Sequence, residues 1–260
     1  MRAFLAPQAL LISEEIYIAA LHSSESVARP ALQKWLSKFD PELLPFQGHK
    51  LLGIAATRFP EELSRSTYAG VLANVARQAR LRTHAAFAQL ARLLERDEFA
   101  DTSPVAVGET HERVALAGHA NSHLETLELA VRDRDLDGFL AALRSSGFES
   151  DYPPRTAWGR RARISISKSA STGLHLRVLG LAVLPDTSDR FGEIGRLRIM
   201  TPQGHARFMR SRLSGLLARR DQVLFDLYRM RAAGGDVSDL ASMLVRTGFR
   251  RQALTVLGRN

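Results

Sequence analysis

The stretch that most constrains the fold of this chain runs from Arg163 to Val178. Arg163-Ile164-Ser165-Ile166-Ser167-Lys168-Ser169 alternates apolar and polar residues, and Leu174-His175-Leu176-Arg177-Val178 does so again. Such a period of two predicts two half-buried strands. Between them, Ala170-Ser171-Thr172-Gly173 has the composition of a tight turn. The joint carries hydroxyls, an ammonium and an imidazole but no carboxylate. Small hydroxyls and cations suit an anionic backbone, whereas Mg²⁺ requires carboxylate oxygens.

Charge is distributed unevenly around this hairpin. Residues 155–260 hold 20 Arg+Lys against 7 Asp+Glu, a net of +13, and the other 154 hold 16 against 20, a net of −4, within an overall +9. A basic half of this kind points to a nucleic acid or an acidic surface as partner. Nearly all the cations are arginine, 32 Arg to 4 Lys, and arginine's planar fork pairs with phosphate through two hydrogen bonds. The chain has no cysteine, which rules out disulfides and thiolate-bound zinc. The apolar run Ala3 to Ile18 is interrupted by Pro7, Glu14 and Glu15. It is too short and too charged to span a bilayer, so the expectation is a cytoplasmic protein without a membrane partner.

Along the chain, residues 8–21 alternate loosely and predict a first strand. Helical spacing follows over Ser26–Phe39 and Glu61–Arg96. Val105–Gly108 and Leu124–Val131 predict strands, and Asp135–Ser145 predicts a helix. With the strand at 163–167, the order is β-α-β-β-α-β, the α+β arrangement of ferredoxin-like and RNA-recognition-motif folds, with a helical insertion around 25–75. Ala206–Met230 predicts an arginine-rich helix, and Asp236–Leu257 a small helix-turn-helix. The expected organisation is a core over 1–200 and a basic helical extension over 201–260.

These residues resemble the CRISPR repeat-RNA endoribonucleases, nearest the type I-F and type IV branches. Lys168-Ser169-Ala170-Ser171-Thr172-Gly173-Leu174-His175-Leu176-Arg177 is similar to that family's serine–glycine–histidine motif, with Leu176 where the family has an aromatic. Phe191-Gly192-Glu193-Ile194-Gly195 resembles a shortened form of its glycine-rich loop. The resemblance implies a metal-independent endoribonuclease of antiviral defence, without a cofactor. It would cut precursor RNA by 2′-hydroxyl attack and stay bound to the crRNA hairpin as a subunit of an effector complex. Ser169 would orient the attacking ribose and Lys168 would hold the oxyanion. The proton would go to His84, or to arginine-assisted water. Ser171, His175, Arg177, Arg160, Arg161, Arg163 and Phe191 would lie along the RNA. Arg207, Arg210, Arg212, Arg219 and Arg220 would grip the hairpin stem through its phosphates.

Two other readings compete. Arg219-Arg220-Asp221 with Phe225-Asp226-Leu227-Tyr228 resembles the last helix of toxin-type nucleotidyltransferases. Val107-Gly108-Glu109-Thr110 and Glu125 to Glu128 echo their glycine motif and carboxylate pair, while His175 and Arg177 occupy the strand of a third acid. That chemistry requires two or three carboxylates to hold Mg²⁺. The other reading is a non-catalytic nucleic-acid-binding protein built on the segment 236–257.

Overall fold

The computed structural model describes residues 14–21, 24–40, 46–115, 124, 126–157, 162–191 and 196–216. It begins with helices: α1 (Glu14–Leu21), α2 (Glu25–Leu36), α3 (Phe46–Arg58), α4 (Pro60–Ser64) and the long α5 (Ala69–Leu94). Mixed elements follow: β1 (Val105–Ala106), α6 (Gly108–Ala115), β2 (Thr126–Arg132), α7 (Leu136–Ser145), β3 (Phe148–Glu149), β4 (Arg155–Ala157), β5 (Ala162–Ser169), β6 (His175–Leu181), β7 (Thr187–Phe191), β8 (Arg198–Met200) and α8 (Pro202–Leu216).

Three expectations change. Residues 14–21 form a helix rather than part of a strand, and residues 8–13 lie outside the described residues. Ile16, Ala19 and Ala20 are buried at a spacing of three and four, so helix periodicity and packing against α2 and α3 override the loose alternation. The helix expected over Glu61–Arg96 divides at Arg65–Tyr68, where the Ser66 hydroxyl accepts a hydrogen bond from the Tyr68 amide (3.2 Å). That local bond competes with helix continuation. Finally, the strand expected over Val105–Gly108 stops at Ala106, and Gly108 opens a helix that the sequence reading did not contain. The β-α-β-β-α-β order therefore has no leading strand among the described residues. The fold is α+β around a mixed sheet.

Eight strands form that sheet in the order β3-β5-β6-β2-β1-β8-β7, with β4 also pairing β5. The inner pair β2/β6 is parallel, β1 is antiparallel to β2 and parallel to β8, and β5 is antiparallel to β6. Helices cover both faces. On one, α1, α2, α3 and α8 bury Leu32, Leu51, Phe59 and Phe208 against Val105, Ala130, Leu179 and Leu181. On the other, α7 and the end of α5 bury Phe139, Leu140, Leu90 and Leu94 against Leu127, Leu129, Leu176 and Val178. Five consecutive β2 residues, Leu127 to Val131, are buried. Burial on both faces replaces the alternation of a half-buried strand with a continuous run.

α8 docks tightly on the segment before β7. The Thr201 amide donates to the Asp186 carbonyl (2.8 Å), and a Cβ on Gly204 would stand 2.3 Å from the same oxygen. Gly204→Ala should therefore lower stability by about 1–3 kcal/mol, because backbone must move to admit the methyl. Gly70→Ala, with nothing within 4 Å of the new Cβ in the first turn of α5, should be neutral or slightly stabilising. Denaturant midpoints of the two variants check the pair.

Candidate functional site

β1 leaves the sheet through a bond from the Val107 amide to the Glu128 carbonyl (3.1 Å). The chain then turns at Gly108, whose φ of 54° lies in the left-handed region that side chains disfavour. Two residues on, the Thr110 hydroxyl accepts a hydrogen bond from the Glu128 amide (2.6 Å). The glycine turn is thus tied directly to the middle of β2. α6 is held from its far side by α8. The His111 and His205 rings lie 4.7 Å apart, and His205 Nε2 is 3.1 Å from Glu112 Oε1, all three residues being buried. Next to them Arg113 is also buried, and burial pushes its guanidinium down to about 10.

Strand register decides what faces this turn. Thr126 stands beside His175 and Glu128 beside Arg177 across β2/β6. Lys168 stands beside His175 and Ile166 beside Arg177 across β5/β6. Paired residues share a face and alternate residues along a strand return to it, so six side chains form a two-by-three grid. One row is Lys168–His175–Thr126 and the other Ile166–Arg177–Glu128. Glu128 is buried, and its Oε1 accepts a hydrogen bond from the half-buried Arg177. Lys168 and Ile166 are exposed, and His175 and Thr126 are half-buried. The grid offers two permanent cations, an imidazole and one carboxylate that is already engaged.

The residues expected to act together are divided between the two faces. Ser165, Ser167 and Ser169 are buried on the face opposite Lys168. The Ser169 hydroxyl lies 3.2 Å from that of Ser171 and accepts from the Thr172 amide (3.3 Å). Its backbone closes the turn through bonds to Leu174 and Gly173, the latter at φ 70°. Ser169 therefore stabilises the turn, while Lys168 and His175 lie across the sheet from it. Leu176 is fully buried on the serine side. Arg163 is held by Asp133 and Asp137, its Nε 2.7 Å from Asp133 Oδ1, and the Asp133 hydrogen bond raises its pKa above the ordinary value. Ser171 is exposed in the turn, His84 is exposed on α5, and the exposed Arg207 pairs with Asp186 (2.9 Å). Arg210 and Arg212 fall on α8, and Phe191 ends β7. Arg160, Arg161, Arg219, Arg220, Glu125, the 192–195 loop, the Phe225–Tyr228 motif and the 236–257 segment lie outside the described residues.

Sequence reasoning noted Gly108 and Glu128 but not their link, since α6 was not foreseen. It also did not foresee Thr110 or the His111–Glu112–His205 anchor, because only tertiary packing brings α8 to α6. No described helix is long and apolar enough to cross a membrane. No protein-family model matches the chain, nor does any curated protein or solved structure.

Removing Arg177 would leave the Glu128 charge buried without its guanidinium. Arg177→Ala should cost about 3 kcal/mol near neutral pH, the scale of a broken buried ion pair. The variant's deficit should shrink as pH falls and the carboxyl takes up a proton. Adding Glu128→Gln to Arg177→Ala should recover much of the loss, since no charge then remains to be compensated. Chemical denaturation of the single and double variants at two pH values measures this coupling.

Proposed function

We propose that this chain is a degenerate nucleotidyltransferase of the toxin type, which binds the phosphates of a nucleotide on the β5–β6–β2 grid without two-metal transfer. The observation that carries this reading is the pairing of Glu128 with Arg177. A strand, a left-handed glycine turn, a helix and a strand bearing a carboxylate follow in the order such an enzyme would use. Where a third acid would stand on the neighbouring parallel strand, Arg177 stands and neutralises that carboxylate. Thr126 occupies the position two residues before Glu128, so the grid has one carboxylate where two or three are needed to hold Mg²⁺. Lys168, His175 and the outer edge of Arg177 instead present hydrogen-bond donors to an anion.

The finer reading of the fold belongs to the same proposal. The order β2–α7–β5–β6, with β2 and β6 as the parallel inner pair, corresponds to one half of a ferredoxin-like arrangement. The repeat-RNA endoribonuclease reading draws support from the exposed Lys168 beside His175. It lacks support from Ser169, whose hydroxyl is buried in the turn on the other face.

The test is a fluorescent nucleoside triphosphate titrated with and without EDTA. Binding should be insensitive to EDTA, and Lys168→Glu should weaken it by about tenfold or more through loss and reversal of a phosphate partner. Radiolabelled nucleotide should not be transferred to RNA or protein in Mg²⁺. Mg²⁺-dependent labelling would restore a working transferase. Cutting of repeat RNA in EDTA, lost when the ribose before the scissile bond is 2′-deoxy, would favour the endoribonuclease. Absence of nucleotide binding would overturn the proposal.

A further inference from the structure

Elsewhere in the described chain, cations come with carboxylates. Arg29 pairs with Glu62 and Glu25, Lys34 with Glu15, Arg163 with Asp133 and Asp137, Arg177 with Glu128, and Arg207 with Asp186. α5 departs from this pattern. Its 26 residues include Arg77, Arg80, Arg82, His84 and Arg92 but no Asp or Glu. All five side chains are exposed. Arg77 donates to the Asn74 amide oxygen (3.1 Å), and among the described residues Arg80, Arg82 and Arg92 have no carboxylate partner.

The cations are also aligned. At about 100° per residue, Arg77, Arg80, His84 and Arg92 fall within roughly a 120° arc. The buried residues Leu72, Ala79, Thr83, Leu90, Leu93 and Leu94 occupy the opposite side, where they meet the core. The stripe spans about 22 Å of helix at 1.5 Å per residue. Between its cations lie Ala73, Ala88 and Ala91, small side chains that let a large partner approach the helix closely. Arg77 and Arg80 are three residues apart and Arg80 and His84 four, so like charges face one another along the stripe. That arrangement weakens a free helix. Acidic residues resume only past its end, at Glu95, Asp97 and Glu98.

We propose that this stripe of α5 is a docking surface for duplex RNA, gripped by its phosphate backbone without sequence preference. Aligned, unpaired arginines complement a polyanion, and their mutual repulsion is relieved only when phosphates lie between them. The choice of RNA rests on what the stripe lacks. Beyond Asn74, which Arg77 already engages, it carries no amide or carboxylate that could read base edges in a B-form major groove. An A-form duplex is recognised through its shape and backbone, which is all this surface can contact. The stripe is distinct from the β5–β6–β2 grid and does not depend on the reading of that grid.

The experiment uses the full chain and a 20-base-pair RNA duplex of arbitrary sequence, with the matching DNA duplex as the second arm. Replacing Arg77, Arg80 and Arg92 together with Gln should weaken RNA binding by at least tenfold. It should also shallow the dependence of log K on log salt by about one unit per arginine in contact with a phosphate. Arg80→Glu alone should weaken RNA binding yet raise the melting temperature of the free protein, because it removes two repulsions and adds attraction to Arg77 and His84. A purely structural role for the stripe predicts the opposite shift in melting temperature. Wild-type affinity in the triple variant, binding to DNA at least as tight as to RNA, or destabilisation by Arg80→Glu would each overturn the proposal. Loss of nucleotide binding on the grid with duplex binding intact would overturn only the function proposed above.

Discussion

β2 is the strand on which the rest of the molecule depends, and its burial on both faces is the governing constraint. A strand between two layers of helices has no solvent in which to place a charge. Glu128 lies in the middle of it, and the sheet meets the requirement from within by placing Arg177 beside it on β6. That pairing requires β2 and β6 to be parallel and in this register, because a shift of one residue would turn either side chain to the other face. The parallel connection in turn requires a crossover, and α7 provides it while covering the face that carries Leu129 and Val178.

The same strand organises the turn before it. Glu128 receives the Val107 amide at its carbonyl and gives its own amide to Thr110, so both ends of the glycine turn are bonded to one residue. α6 is then fixed between β2 and α8, with the His205–Glu112 contact buried on its outer side. Around this centre α5 runs from one core cluster to the other, placing Leu72 in the first and Leu90 to Leu94 in the second. A helix anchored along one side over that length keeps its opposite side straight and open. That is why its cations form a stripe rather than a scatter.

Two charged surfaces with different chemistry result. On the sheet face, cations surround one compensated carboxylate, and a small anion would find a few fixed donors there. On α5, cations without partners are spread over several turns, a geometry suited to an extended polyanion. Most other charges in the described chain are matched locally, as Arg163 is with Asp133 and Asp137. The basic excess seen in the composition is therefore only partly a binding surface, because some of its arginines hold the fold.

The sequence alone determined the local elements whose signals are short-range. Alternation over 163–169 and 174–178 with Gly173 between them specified the hairpin, and the apolar run at 127–131 specified a buried strand. The composition of 69–94 specified a basic amphipathic helix. Tertiary structure decided everything that depends on which face or which neighbour a residue meets. Alternation makes Lys168 and Ser169 point opposite ways, but only packing against α7 buries the serine side and leaves the lysine side open. Nothing between residues 128 and 177 in the chain announces their contact, because a parallel pairing is set by a crossover and by the burial of both strands. The first helix was misread for the same reason: Ile16, Ala19 and Ala20 are buried by α2 and α3, and eight residues are too few for their own periodicity to prevail without those partners.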